Sequence, residues 1–155
     1  MDRITQSLQT FLKSSKTQYQ TVFNSGTENK KSPPTATSFL VKNPKDPNQA
    51  ADITIYIFPK NSIFILTSQP IAFIDGKGID KIKELKIKWN MNELFSRISV
   101  LGMDDEEDGC YRFSLTLYGV SDPDGSSKYV WMRYIEMLKS ETFDAWKAIA
   151  ALYNN

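Results

Sequence analysis

The segment WNMNELFSRISVLGMDDEEDGCYRFSLTLYGV, residues 89–120, holds a helix end, two strands and the turn between them. Apolar and polar side chains alternate along residues 111–117 with the period of two that places one strand face on a core. Between the strands, MDDEEDG carries five acids, which cannot be buried unpaired, and Gly109 supplies the freedom to turn. The segment predicts a β-hairpin with a solvated tip, entered from a helix that ends within residues 90–93.

The size and composition of the chain set its broad class. A chain of 155 residues suffices for one domain with one core. The net charge of +1 gives no electrostatic reason to expect nucleic acid as the main partner. The single cysteine, Cys110, cannot form an internal disulfide, and no signal peptide or membrane-spanning run is recognisable. We therefore expect a cytoplasmic protein with one domain over residues 1–155 and no membrane partner.

The chain contains no histidine, which removes the commonest general base and the commonest zinc ligand. Hydrolases of the Ser-His-Asp and Cys-His types are therefore excluded. One cysteine cannot supply a thiolate cluster for a structural metal. Carboxylate-only catalysis stays open, but the dense acids fall in one exposed turn rather than around a pocket. We expect no enzymatic activity, no catalytic residue and no cofactor.

The N-terminal half predicts one helix followed by a three-stranded meander. Ile4, Leu8 and Leu12 recur at helical spacing, which indicates an amphipathic helix over residues 2–15, and the periodicity can be followed to Val22. A Pro-Pro pair within NSGTENKKSPPT predicts a flexible loop at residues 24–37. Strands are predicted over residues 38–42, 52–58 and 63–66. The last of these is apolar on both faces, which is typical of a covered central strand or of a face on which another molecule docks.

The C-terminal half predicts two more helices around the hairpin. Ile79, Ile82, Leu85 and Trp89 recur in steps of three and four, which indicates a second amphipathic helix. The apolar positions of residues 128–153 favour one long helix, although residues 128–137 also fit a strand followed by a helix from about residue 141. The predicted order is α-β-β-β-α-β-β-α. It describes a single α+β domain with a mostly antiparallel sheet of about five strands and flanking helices.

This order of elements resembles the YbjN family and, more broadly, the type III secretion chaperone-like fold. The residues that carry the resemblance are Trp89, Asn90, Asn92, Leu94, Phe95, Arg97, Ile98, Ser99, Asp108 and Gly109, with the alternation over residues 111–117. The resemblance covers residues 79–153 and, before them, only the order of elements; the loop at residues 24–37 departs from it. It implies a non-enzymatic domain, often a homodimer, that binds a partner polypeptide through a sheet face or a helix edge.

The chain also has more large aromatic side chains than one small core readily encloses. Rings left partly outside a core often anchor protein interfaces. We therefore predict that an exposed apolar helix or sheet surface recognises another protein or a peptide segment, as in a chaperone-like protein or an adaptor. The candidate partner-binding residues are Phe64, Trp131, Tyr134, Leu138 and Trp146. The partner is expected beside the C-terminal helix or as a strand added to an open sheet edge.

The acidic turn also has a metal-binding interpretation. Its sequence follows the opening D-x-x-x-D-G rhythm of a calcium loop, which makes Asp104, Glu106 and Asp108 weak calcium candidates. A calcium loop needs a glutamate at its twelfth position, where this chain has Leu115. A solvated hairpin tip is the favoured interpretation.

Other functions stay open as alternatives. Lysines of the second helix suit phosphate or anionic lipid, but the interleaved Asp80 and Glu84 favour an ordinary solvated helix face. A small-molecule sensor or a carboxylate-based enzyme would need an enclosed pocket with at least two acids of perturbed pKa. Nucleic-acid binding ranks behind both protein binding and this alternative.

Overall fold

The computed structural model describes residues 2–23, 35–74, 79–92, 95–102 and 111–153, and within them three helices and six strands. In chain order they are α1 (Arg3–Ser14), β1 (Tyr19–Phe23), β2 (Thr35–Asn43), β3 (Asp46–Phe58), β4 (Ile63–Ile74), α2 (Ile79–Met91), β5 (Arg97–Gly102), β6 (Tyr111–Val120) and α3 (Lys128–Tyr153). The strands form one antiparallel sheet in the order β1-β2-β3-β4-β6-β5. The chain is thus a single α+β domain, and its sheet has six strands rather than about five.

The extra strand is β1, which follows α1 after a short turn. The Asp2 carboxylate begins α1 by accepting hydrogen bonds from the backbone N–H of Thr5 at 2.8 Å and from its hydroxyl at 2.7 Å. Beyond the helix, Lys16 adopts a φ of 56°, and the chain then pairs with β2. The helix therefore does not continue to Val22. Residues 19–23 include side chains that favour strands, and they form β1, which pairs with β2.

The loop predicted at residues 24–37 does not extend to residue 37. Residues 35–37 belong to β2, where the Thr37 side chain is buried on the core side of the sheet. Residues 24–34 lie outside the described residues. The predicted meander of three strands is confirmed as β2, β3 and β4, and the β5–β6 hairpin is also confirmed. Its acidic tip, residues 103–110, lies outside the described residues.

The long C-terminal helix is confirmed as α3, and the strand alternative for residues 128–137 is wrong. Trp131, Ile135 and Leu138 are buried along one stripe of this helix, which packs on β4 and β6. Further along, the Thr142 hydroxyl lies 2.7 Å from the Leu138 carbonyl oxygen and 3.0 Å from the Ser68 hydroxyl of β4. The buried stripe continues from Trp131 to Ile149 at helical spacing. A helix therefore buries the apolar side chains of residues 128–137 better than a strand would.

The two faces of the sheet differ sharply in what they carry. One face holds the core, which joins the strands to the buried sides of all three helices. Its strand residues are Phe39, Ile53, Ile55, Ile57, Phe64, Leu66, Ile98, Leu115 and Leu117. The residues between them in sequence point to the opposite face, because side chains alternate along a strand. That opposite face, called the open face below, is the one away from the helices.

Candidate polypeptide-binding surface

Three of the five side chains proposed from the sequence to contact a partner lie in the core. Phe64, Trp131 and Leu138 are each 0% exposed. The Phe64 ring lies 4.8 Å from the Trp131 ring and 5.0 Å from the Tyr134 ring, measured between centroids. Because Phe64 points to the core face of β4, α3 covers it completely. An exposed surface built on these three residues is therefore not what the structure contains.

The two other proposed residues, Tyr134 and Trp146, are half-buried on α3. Tyr134 meets the edge of Phe64, and Trp146 packs edge-on against Phe143 with centroids 5.2 Å apart. Both rings therefore stabilise the packing of α3 while leaving part of their surface in solvent. They do not join into one surface with the open face, since that face lies on the other side of the sheet.

The open face carries two adjacent rows of large apolar side chains. Strand register places Phe58, Ile63 and Val120 in one row across β3, β4 and β6. The next row consists of Tyr56, Ile65 and Tyr118 on the same three strands. Tyr118 is 62% exposed and Val120 is 73% exposed. We call these six residues the apolar rows.

A row of hydroxyl side chains lies directly beside the apolar rows. It is formed by Ser38, Thr54, Thr67 and Thr116 on four neighbouring strands. The Ser38 and Thr54 hydroxyl oxygens are 2.9 Å apart, within hydrogen-bonding distance. Among the described residues of this face, Asp52 lies next to Thr54 along β3, and Arg97 is paired to Thr116 on the edge strand. The apolar rows and the hydroxyl row themselves contain no charged side chain, and they combine apolar and hydrogen-bonding groups, although Thr67 is only 3% exposed.

Sequence reasoning missed this surface although one signal pointed to it. Ile63 and Ile65 belong to the run that is apolar on both faces, and one explanation for such a run is docking of another molecule. Val120 and Tyr118 gave no comparable signal, because alternation alone does not show which face of a strand meets the core. The register with β4 supplies that information.

The two outer edges of the sheet have different surroundings. At the β5 edge, Asn90 of α2 uses its side-chain amide to bond both the N–H of Ile98 at 2.9 Å and its carbonyl oxygen at 3.4 Å. Just before it, the buried Glu141 carboxylate accepts hydrogen bonds from the N–H groups of Phe95 at 2.7 Å and Ser96 at 2.9 Å. The backbone groups of residues 95, 96 and 98 are therefore already occupied, so an added strand would not find them free at the start of β5.

At the opposite edge of the sheet, formed by β1 and β2, lies a broad groove with a cavity volume of about 1080 Å³. The turn between α1 and β1 forms one wall with Lys16, Thr17 and Gln18, and β2 forms the other with Leu40 and Lys42. Further lining residues are Tyr19, Gln20, Ser38, Phe39 and Asp52. Burial raises the pKa of Asp52 above its ordinary value of 3.8.

The acids among the described residues are distributed over different sites. Asp52 is the one acidic residue among the described residues that line the groove. Glu141, buried elsewhere, already accepts two backbone hydrogen bonds. No group of three metal-ligating side chains occurs in the described part of the chain, and the calcium candidates Asp104, Glu106 and Asp108 lie outside it.

No helix among the described residues is long and apolar enough to cross a membrane. Comparison of the chain with protein-family models, with curated proteins and with solved structures finds no match. The arguments about function therefore rest on the chemistry of these surfaces.

Proposed function

We propose that this protein is a non-enzymatic protein-binding module, a chaperone-like protein or an adaptor, that recognises a partner polypeptide through the open face of its sheet. The observation that supports the proposal is the pair of apolar rows at the ends of β3 and β6 and the start of β4, where Tyr118 and Val120 are 62% and 73% exposed. Contiguous apolar surface of this kind typically marks an interaction site.

The chemistry of the open face favours a polypeptide over other partners. The apolar rows and the hydroxyl row contain no charged side chain, so they offer nothing to a phosphate backbone. Small molecules prefer enclosed clefts, and neither described pocket is lined by the apolar rows. Tyrosine rings beside serine and threonine hydroxyls provide both apolar area and hydrogen bonds, as protein interfaces do.

The size of this surface indicates how much of the face a partner covers. Together the apolar rows and the hydroxyl row span four strands about 4.8 Å apart and five residues with a rise of about 3.3 Å, which is roughly 300 Å². A stable partner typically covers about 800 Å² on each side. The two sets of rows are therefore one part of a contact that extends over the neighbouring strands. The resemblance to the YbjN family and the secretion chaperones is consistent with such a contact, with a client or a second copy of the chain as the partner.

Site-specific photocrosslinking tests the proposal. The photoreactive residue benzoylphenylalanine replaces Tyr118 on the open face or, as the matched control, Tyr129 of α3, which is 65% exposed. We expect a discrete crosslinked protein from position 118 and none from position 129, because only the first lies in the proposed contact. Equal crosslinking at both positions, or none at position 118 in cells that express the protein, would contradict the proposal.

A further inference from the structure

Strand β2 is longer than the strand that covers its outer edge. β1 pairs with β2 from Thr35 to Phe39 and goes no further. On its other side, β2 continues in register with β3 through Leu40 and Val41 to Lys42. Among the described residues, no strand lies beside the outer edge of residues 40–43. Their outward-facing backbone groups thus form a short length of open sheet edge.

The turn after α1 explains why β1 stops at this point. Lys16 has a φ of 56°, and the N–H of Thr17 donates a hydrogen bond to the Leu12 carbonyl oxygen at 2.8 Å. These features tie the turn to the end of α1 and direct the chain away from β2. The space between the turn and β2 is the groove of about 1080 Å³. It therefore contains the open edge along one side.

An open strand edge selects a specific kind of occupant. Unpaired backbone N–H and C=O groups are satisfied by another extended backbone, which adds its own alternating donors and acceptors. A lipid or a compact small molecule has no such repeat. The edge is also short, so it suits a segment of a few residues rather than a whole sheet.

The side chains beside this edge indicate the sequence of such a segment. Leu40 is 64% exposed, and Lys42 follows two residues later on the same side of the strand. Lys16 stands on the facing wall, and neither lysine has an ion pair among the described residues. Asp52 is the cross-strand neighbour of Leu40, so the lining carries two lysines and one aspartate. A strand added here would place an apolar residue beside Leu40 and, two positions along, an acidic residue between the lysines.

We propose that the groove between the α1–β1 turn and β2 binds an extended peptide segment of another protein as an added strand beside residues 40–43. The segment carries an acidic and an apolar residue two positions apart. This inference rests on the proposed function, since the ligand is again a polypeptide, but it assigns a second surface with a different chemistry. The groove would bind a peptide through backbone hydrogen bonds and charge, whereas the apolar rows would contribute apolar contact area.

Fluorescence anisotropy with a labelled peptide tests this site. The probe is fluorescein-Gly-Thr-Asp-Thr-Leu-Thr-Asp-Thr-Gly, whose symmetric pattern fits either strand direction. We expect saturable binding with a Kd below about 1 mM. The matched control peptide has proline in place of the two threonines that flank leucine. It should not bind, because proline lacks the backbone donor.

Charge exchange makes the test specific to the groove. Lys42→Glu should weaken the aspartate probe by roughly fivefold, and the same variant should bind a probe with lysine in place of both aspartates better than the wild-type chain does. Tyr118→Lys should leave probe binding unchanged. Thermal melting followed by circular dichroism confirms that each variant is folded.

The results also separate this inference from the proposed function. Equal binding of the proline peptide, no saturation up to about 1 mM, or no effect of Lys42→Glu would overturn the groove site. Any of these results together with a crosslink at position 118 would leave the open-face function standing. If position 118 gives no crosslink but the probe binds normally, the result contradicts the function proposed for the open face and supports the groove site.

Discussion

Asn90 closes the edge of the sheet at Ile98: its Oδ1 accepts a hydrogen bond from the Ile98 N–H at 2.9 Å, and its Nδ2 lies 3.4 Å from the Ile98 carbonyl oxygen. One primary amide thus occupies both outward-facing backbone groups of Ile98. This arrangement ties α2 to the start of β5.

Replacing Asn90 should both destabilise the fold and expose the β5 edge. Asn90→Leu keeps a side chain of similar size but removes both hydrogen bonds to Ile98, at a cost of about 1–3 kcal/mol. Urea denaturation measures the cost, and light scattering at high protein concentration measures association through the freed edge. The control is Asn92→Leu, at an exposed position directly after α2. It should change neither stability nor association. A stable, non-associating Asn90→Leu protein would show that the amide does not protect this edge.

Gly119 should tolerate no side chain because the Phe64 ring lies directly on it. A Cβ atom at this position would overlap two atoms of the ring. The ring cannot easily move, since Trp131 and Tyr134 hold it at centroid distances of 4.8 and 5.0 Å. We expect Gly119→Ala to lower the free energy of unfolding by about 1–3 kcal/mol.

The partner substitution distinguishes this clash from a general effect of losing glycine. In a Phe64→Leu background, the smaller side chain makes room, so Gly119→Ala should cost clearly less than in the wild-type chain. Thermal unfolding of the four proteins of this cycle measures the coupling. Additive effects of the two substitutions would contradict the close packing of Gly119 and Phe64.

The Ser7 hydroxyl joins α1 to the start of α3. It accepts hydrogen bonds from Trp131 Nε1 at 3.1 Å and from the Ser126 N–H at 3.2 Å, and it donates to the Ile4 carbonyl oxygen at 2.7 Å. Ser7→Ala leaves the buried indole N–H without a partner, which should cost about 1–3 kcal/mol in urea denaturation. Ser14→Ala removes an exposed hydroxyl on the same helix and should cost less than about 0.5 kcal/mol. Equal costs for both would assign the Ser7 effect to helix propensity.

The raised pKa of Asp52 predicts how stability changes with pH. Asp52 is exposed, but partial burial raises its pKa above 3.8, so the folded chain holds the proton slightly more tightly than the unfolded chain. Its contribution to the free energy of unfolding therefore falls as pH rises from 3.8 through the folded-state pKa, and stays lower at neutral pH. Asp52→Asn should be more stable than the wild-type chain at neutral pH, and this gain should disappear in acid.

Denaturation at both pH values, with the exposed Asp144→Asn of α3 as the control, measures this difference. The control should show no comparable gain. An Asp52→Asn protein that is less stable than the wild-type chain at neutral pH would show that the carboxylate is favourably paired in the folded state.

The elements that could be predicted from the sequence are those with a long, regular period. Helix α3 and the β5–β6 hairpin have such periods, and both are present. The strand at residues 19–23 was missed because its pairing with β2 is a tertiary contact, and the residues before it continue a helical period. The local sequence pattern cannot show that β2 extends past β1. The groove beside this extension could therefore not be predicted from the sequence either.

The position of the candidate residues in the fold could not be predicted from the sequence. Trp131 and Phe64 were assigned to a partner surface because large aromatic residues are common at interfaces, yet α3 and β4 bring the two rings together in the core. Tyr118 and Val120 stayed unassigned, since alternation gives two faces without saying which is covered. The register of β4 with β6 is what assigns Tyr118 and Val120 to the face opposite the core.

Isothermal titration of the protein that crosslinks at position 118 tests the central claim most directly. Tyr118→Lys places a charge in the apolar rows and should weaken binding of that protein at least tenfold, which is about 1.4 kcal/mol. Tyr129→Lys adds the same charge to α3 and should leave the affinity unchanged. Equal affinity of the wild-type chain and folded Tyr118→Lys would show that the open face is not where this protein binds its partner.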